Sequence, residues 1–148
     1  MTSTFQMIPA SNKVLYVIVP VAAVAVGLLV LFGYLLYSSR HVRFEVDQRS
    51  LHIRGDIYGR DIKLSDLVLS EAKEIDLEQS PGYRPVLRTN GTGLPGYKAG
   101  WFKLRNGEKA LLFVTDNRQV TYVPTRQGYS LLMSVEDGPA FLEALRKQ

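Results

Sequence analysis

Apolar residues run from Val14 to Ser39 without a charged side chain, and beyond Arg40 they give way to short stretches that alternate with polar ones. The first pattern predicts a transmembrane helix over Val14–Tyr37, because at about 1.5 Å per residue it exceeds a hydrocarbon core of ~30 Å and spans it with some tilt. Pro20 falls near the start of this helix, where freed backbone groups are re-satisfied locally even in lipid. Tyr16 at one end, and Tyr34 and Tyr37 at the other, stand where aromatic belts form. Residues 1–13 are a short tail. Ala23-Val24-Ala25 has the small-x-small form of a signal-peptidase site, but cleavage after Ala25 leaves Gly27–Phe32 as a bare apolar terminus, so a retained anchor is expected. Ala23 and Gly27 allow close helix approach, yet such spacing is common in membrane helices and assigns no interface by itself.

Residues 42–148 read as a β domain. Val42, Phe44 and Val46 share one face, Asp47-Gln48-Arg49 turns, and Leu51–Arg54 returns, which is a hairpin. Tyr58-Gly59 marks a second reversal before Asp61–Leu64, Ser65–Ala72 reads as a short helical piece, and Glu74–Leu77 resumes the alternation. Gln79–Gly96, rich in glycine and proline, reads as a long loop carrying Tyr83, Arg84 and Arg88. Asn106-Gly107 predicts a type I′ turn between Gly100–Leu104 and Ala110–Val114. Reversals at Asp116–Arg118 and Gln127-Gly128 then give Val120–Val123 and Tyr129–Met133, four strands in a meander. Ser134 is the expected N-cap of a final amphipathic helix, with Glu136 and Asp137 in its first turn and Phe141, Leu142 and Leu145 on its apolar stripe. The predicted class is mostly β with one C-terminal α-helix covering an open end or edge of a sandwich or barrel.

Composition narrows the chemistry. The chain has no cysteine, which excludes disulfides, thiolate metal sites and thiol nucleophiles. Its 18 basic and 14 acidic residues give a formal charge of +4. The basic residues of the domain are scattered singly, whereas nucleic-acid readers gather them into stripes with stacking aromatics, so no nucleic-acid partner is expected. Lys13 is the only charged side chain before the span, while Arg40, His41, Arg43, Arg49 and Arg54 follow it, a bias that favours a cytoplasmic C-terminal domain.

Asp56–Ile62 (DIYGRDI), Gly91–Leu112 (GTGLPGYKAGWFKLRNGEKALL) and the closing Ser134–Asp137 with Phe141 together resemble the bacterial pleckstrin-homology-like (PH) domain family, over about Phe44 to Leu145. The resemblance implies a strongly bent β-sandwich of about seven strands capped by a C-terminal helix, often joined to membrane-spanning segments, and no enzymatic activity. Eukaryotic domains of that name bind phosphoinositides through a basic strand-loop-strand near their start. Here that place mixes Arg49, Arg54 and Arg60 with Asp47, Asp56 and Asp61.

No motif supplies a catalytic centre. Gly91–Gly96 matches G-x-G-x-x-G, but a dinucleotide site needs a helix after the loop, and Tyr97–Leu104 reads as strand. Neither H-R-D nor D-F-G accompanies it as a kinase would require. His41 and His52 have no carboxylate at helical ligand spacing, so no metal is expected. Asp56, Asp61 and Asp66 flank turns, with no partner histidine or nucleophile elbow. Trp101, Phe102, Tyr122 and Tyr129 are expected to fill the core more than to line a groove. No cofactor is expected.

The expectation is therefore a single-pass, non-catalytic interaction module that binds a protein partner or itself. Its contact residues are expected among Tyr83, Arg84 and Arg88 on the long loop and Arg40 and Arg43 beside the membrane. An anionic-lipid sensor using the same cations is the alternative, at about 1 kcal/mol per charge near the surface. An extracytoplasmic envelope protein is the outcome if the topology is reversed.

Overall fold

The computed structural model describes residues 12–39 and 42–148. They fall in two compact units that divide between Tyr37 and Ser38. The first is a 3₁₀ turn, Asn12–Val14, running into one helix, α1 (Leu15–Ser39), with Pro20 inside it. Proline has no N–H for the carbonyl four residues back and clashes with it, so the first turns bear the one defect. Every described side chain from Leu15 to Tyr34 is exposed, and Leu15–Tyr34 is long and apolar enough to cross a membrane. A helix apolar all round has no water-facing side, which makes it a candidate membrane span.

The second unit begins with a three-stranded antiparallel sheet of β1 (Arg43–Val46), β2 (Ser50–Arg54) and β3 (Asp61–Lys63), in that order. Asp47 makes the first turn, its Oδ1 accepting from the Arg49 and Ser50 N–H groups at 2.7 Å each. Ser65–Ala72, expected to be helical, contributes only the end of one 3₁₀ turn, Leu64–Asp66, and a bridge from Leu67 to Thr125.

The larger sheet has six strands: β4 (Lys73–Ile75), β5 (Pro85–Leu94), β6 (Tyr97–Leu104), β7 (Lys109–Val114), β8 (Val120–Pro124) and β9 (Ser130–Met133). Their spatial order is β4-β8-β9-β7-β6-β5. This overturns the expected four-strand meander: β6–β7 and β8–β9 are hairpins, but β9 lies between β7 and β8 and runs parallel to β7. The reason is burial. Leu131, Leu132 and Met133 are fully buried in succession, so β9 requires cover on both faces and takes a central place. The fold is mostly β with a C-terminal helix, as the sequence predicts. It has nine strands in two sheets that do not close, against the seven or so that the resemblance implies.

The β6–β7 turn also differs in type. Gly107 has φ +91°, Asn106 does not have positive φ, and the Gly107 N–H reaches the Leu104 carbonyl at 3.0 Å, so the loop has three residues with glycine at its end. At the C-terminal helix, α2 (Gly138–Arg146), the cap is Asp137, whose Oδ1 accepts from the Ala140 N–H at 3.0 Å. Ser134, the expected cap, instead accepts from the Thr115 and Asp116 N–H groups at 3.2 and 3.1 Å and donates to the Asp116 carbonyl at 3.0 Å. Pro139 at the second helical position explains the later start, since it has no N–H to satisfy there.

Both faces of the large sheet are covered. On one, Ala99, Leu111, Phe113, Val123, Leu131 and Met133 pack under Leu51, Ile53 and Ile62 of the small sheet and Phe141, Leu142 and Leu145 of α2. Each large apolar side chain buried this way stabilises by about 1.5–3 kcal/mol before the entropy cost of ordering it. On the other, Ile75, Phe102, Leu112, Val114, Val120 and Tyr122 lie beneath Leu77 and Tyr83. Phe102 and Tyr122 are thus core, as expected. Trp101 is half-buried, edge-on to Tyr129 at 5.0 Å between centroids, with Arg60 and Lys109 4.8 and 4.4 Å from its ring.

Candidate contact surface on the outer strand

The long loop expected over Gln79–Gly96 is mostly strand. After a 3₁₀ turn at Pro81–Tyr83 the chain enters β5, ten residues at the edge of the large sheet. Glycines and a proline concealed it, because they carry no alternation to read. Gly91 and Gly100 face each other across β5 and β6, and a Cβ on Gly91 would lie 2.3 Å from the Ala99 carbonyl oxygen. Gly91 is there because the two backbones approach too closely at that point for a side chain. Pro95 and Gly96, the latter at φ +76°, form the tight turn into β6. The G-x-G-x-x-G stretch is therefore a strand end and a hairpin turn with no helix after it.

β5 has two irregularities. Val86 and Thr89 have no opposite number in the ladder to β6, and the Thr89 hydroxyl donates to the Trp101 carbonyl at 3.1 Å across the second gap. Val86 and Leu87 are 55 % and 57 % exposed, an apolar pair at a sheet edge.

The sequence-selected residues separate by role. Tyr83 packs edge-on to Tyr122 at 4.8 Å, under the Lys73 ammonium, and belongs to the second core. Arg84 turns inward: its Nε donates to the Leu77 carbonyl at 2.6 Å and its Nη2 to the Glu78 carbonyl, pinning the 77–84 segment to the sheet. Arg88 is exposed on β5. Arg43 is exposed on β1 opposite Arg54. Arg40 and His41 lie outside the described residues. The sequence reading missed Lys98, on β6 across from Gly93, which donates to Asn117 Oδ1 at 2.9 Å. Only the register of the β5–β6 hairpin brings it beside Arg88, and that register was hidden once β5 was read as loop.

Two adjoining depressions result. One, of about 350 Å³, lies among Leu77, Glu78, Arg84, Pro85, Lys98 and Asn117. The other, of about 570 Å³, runs along β5 beside Val86, Arg88, Pro95, Lys98 and Phe102. Glu78, the carboxylate in the first, is paired with Arg118 at 3.5 Å. The surface is apolar along its floor and cationic along its rim, a chemistry suited to holding an anionic group rather than activating a nucleophile.

His52 forms a separate cluster. Its Nε2 lies 2.9 Å from Asp47 Oδ2 and its Nδ1 2.7 Å from Asp61 Oδ1, while Arg54 bonds the same Asp61 oxygen at 2.9 Å. Both ring nitrogens face acceptors, an arrangement fully satisfied only by the imidazolium. The bonds to Asp47 and then Asp61 hold the His52 pKa above its ordinary value. Asp47 is held down at about 2, chiefly by His52 and then by the Arg49 and Ser50 N–H groups. The cluster is an ion-pair network on the small sheet. Among the described residues no group of three His, Asp or Glu side chains is placed to hold a metal.

An open-edged β-sheet domain with a C-terminal helix, preceded by an apolar helix, defines the class. The family model described as bacterial PH domain matches residues 42–148, and the chain belongs to that family. Comparison with curated proteins gave no match, and neither did comparison with solved structures.

Proposed function

We propose that the chain is a membrane-anchored, non-catalytic interaction module whose PH domain sits at the cytoplasmic face and binds a protein partner or a second copy. The observation that carries this reading is α1, with its exposed apolar side chains from Leu15 to Tyr34, in one chain with a PH domain. The basic residues after the span, Arg40, Arg43, Arg49 and Arg54, favour the cytoplasmic orientation. The domain's polar clusters are engaged in turns and ion pairs, which suits recognition better than turnover.

The test is a pair of C-terminal reporters, one active only in the cytoplasm and one only outside it, together with the mass of the mature chain. A cytoplasmic signal from an uncleaved protein supports the reading. An external signal, or loss of the residues before about Val26, replaces it with an extracytoplasmic protein. A second reading, anionic-lipid sensing, is favoured by the cationic rim of Arg88 and Lys98. It requires salt-sensitive binding to phosphatidylserine vesicles that neutral vesicles do not show.

A further inference from the structure

β5 is paired with β6 along one side, and among the described residues no strand pairs with the other. In an antiparallel ladder alternate residues direct their N–H and C=O away from the neighbouring strand, so this edge offers a row of unmade hydrogen bonds. Proteins ordinarily blunt such edges with bulges, proline or charge. The first half of β5 is blunted in this way, by Pro85, by the bulges at Val86 and Thr89, and by Arg88. From Asn90 to Leu94 the register is unbroken, no side chain is charged, and Gly91 and Gly93 have no side chains of their own to shield the edge.

Charge selects the occupant. Arg88 and Lys98 border this open stretch, and Glu78 is paired with Arg118. We infer that the Asn90–Leu94 edge takes up an extended acidic segment of a partner protein as an additional strand, its carboxylates meeting Arg88 and Lys98. The inference rests on the interaction-module reading and gives that module its surface. Backbone pairing supplies affinity in such strand addition, and the flanking side chains supply selectivity. A second copy fits less well, because Pro85–Lys98 carries no carboxylate that a two-fold pairing could bring to Arg88 and Lys98. A lipid headgroup would use the cations and leave the ladder unmade.

The experiment uses the full chain in phosphatidylcholine nanodiscs and a fluorescein-labelled decapeptide of alternating valine and glutamate, read by anisotropy. The expected result is binding about tenfold or more tighter than that of the valine–lysine counterpart. A paired Arg88→Glu and Lys98→Glu variant should invert that preference. N-methylating alternate amides of the glutamate peptide should weaken binding by about tenfold or more, since it removes the ladder without touching the protein. Equal binding of the two peptides, or indifference to N-methylation, overturns the inference. So does a Thr92→Cys variant that cross-links to its own copy in place of binding peptide, or capture of phosphatidylserine vesicles without peptide. The interaction-module reading is judged separately by the reporters and the mature mass, and survives any of these failures.

Discussion

Two glycines of positive φ separate backbone strain from crowding. Gly100 (φ +110°) and Gly107 (φ +91°) both adopt conformations that side chains rarely take. A Cβ on Gly107 would meet open space, whereas one on Gly100 would stand 2.5 Å from the Asn90 carbonyl oxygen, 2.6 Å from Gly91 Cα and 3.2 Å from the Tyr58 ring. Gly107→Ala should therefore cost only the conformational term, about 1 kcal/mol. Gly100→Ala carries a strain term of about 1–3 kcal/mol. Forcing apart two paired backbones adds about 1–3 kcal/mol more, for a total near 4 kcal/mol. With a urea dependence of about 1.5 kcal/mol per molar, the midpoints should fall by roughly 0.7 M and by more than 2 M. Trp101, the single tryptophan, adjoins Gly100 and reports the unfolding by fluorescence in detergent-solubilised full chain. Equal losses from the two substitutions would show that the close approach of β5 and β6 is not what requires glycine at position 100.

The remaining expectations concern charge and capping. His52 has a folded pKa above its unfolded value, so its contribution is complete below about pH 6.5 and is lost as pH rises through the raised value. Asp47, at about 2, contributes above pH 3.8 and loses that contribution as pH falls toward 2. His52→Gln should flatten the neutral limb of the stability profile measured by thermal unfolding, and an unchanged limb would refute the network's role. Arg84→Ala should destabilise by about 1.5 kcal/mol because the part-buried Leu77 carbonyl loses a charged donor, while Arg88→Ala should stay within about 0.5 kcal/mol; matched chemical denaturations check the contrast. Asp137→Ala should cost about 1 kcal/mol through loss of the α2 cap, whereas Ser134→Ala should loosen the Thr115–Asp116 turn and leave helix content by circular dichroism unchanged.

Elements with a strict period were legible in the sequence: the apolar span, the β1–β2 hairpin around Asp47, the β6–β7 hairpin and the stripe of Phe141, Leu142 and Leu145. What escaped was set by distant partners. β5 has no alternation because Gly91 answers to the backbone of β6 and two bulges shift its register, so the strand has the look of a loop in sequence and Lys98 goes unnoticed beside Arg88. Arg84, conspicuous as a cation, satisfies two carbonyls of its own chain, which only the path of residues 77–84 reveals. The place of β9 was illegible for a related reason. Reversal points mark where a chain turns, and they do not say which strands end up side by side.

The insertion of β9 between β7 and β8 has a temporal meaning. Until Ser130–Met133 has been synthesised, the large sheet exists only as two pieces, β5-β6-β7 and β4-β8, each with a raw apolar margin. The parallel β7–β9 seam cannot form by zipping from a turn, so joining the pieces is a late, non-local event. During that interval the nascent chain carries its most adhesive margins uncovered. Chaperone dependence and sensitivity to premature termination should therefore centre on the few residues of β9.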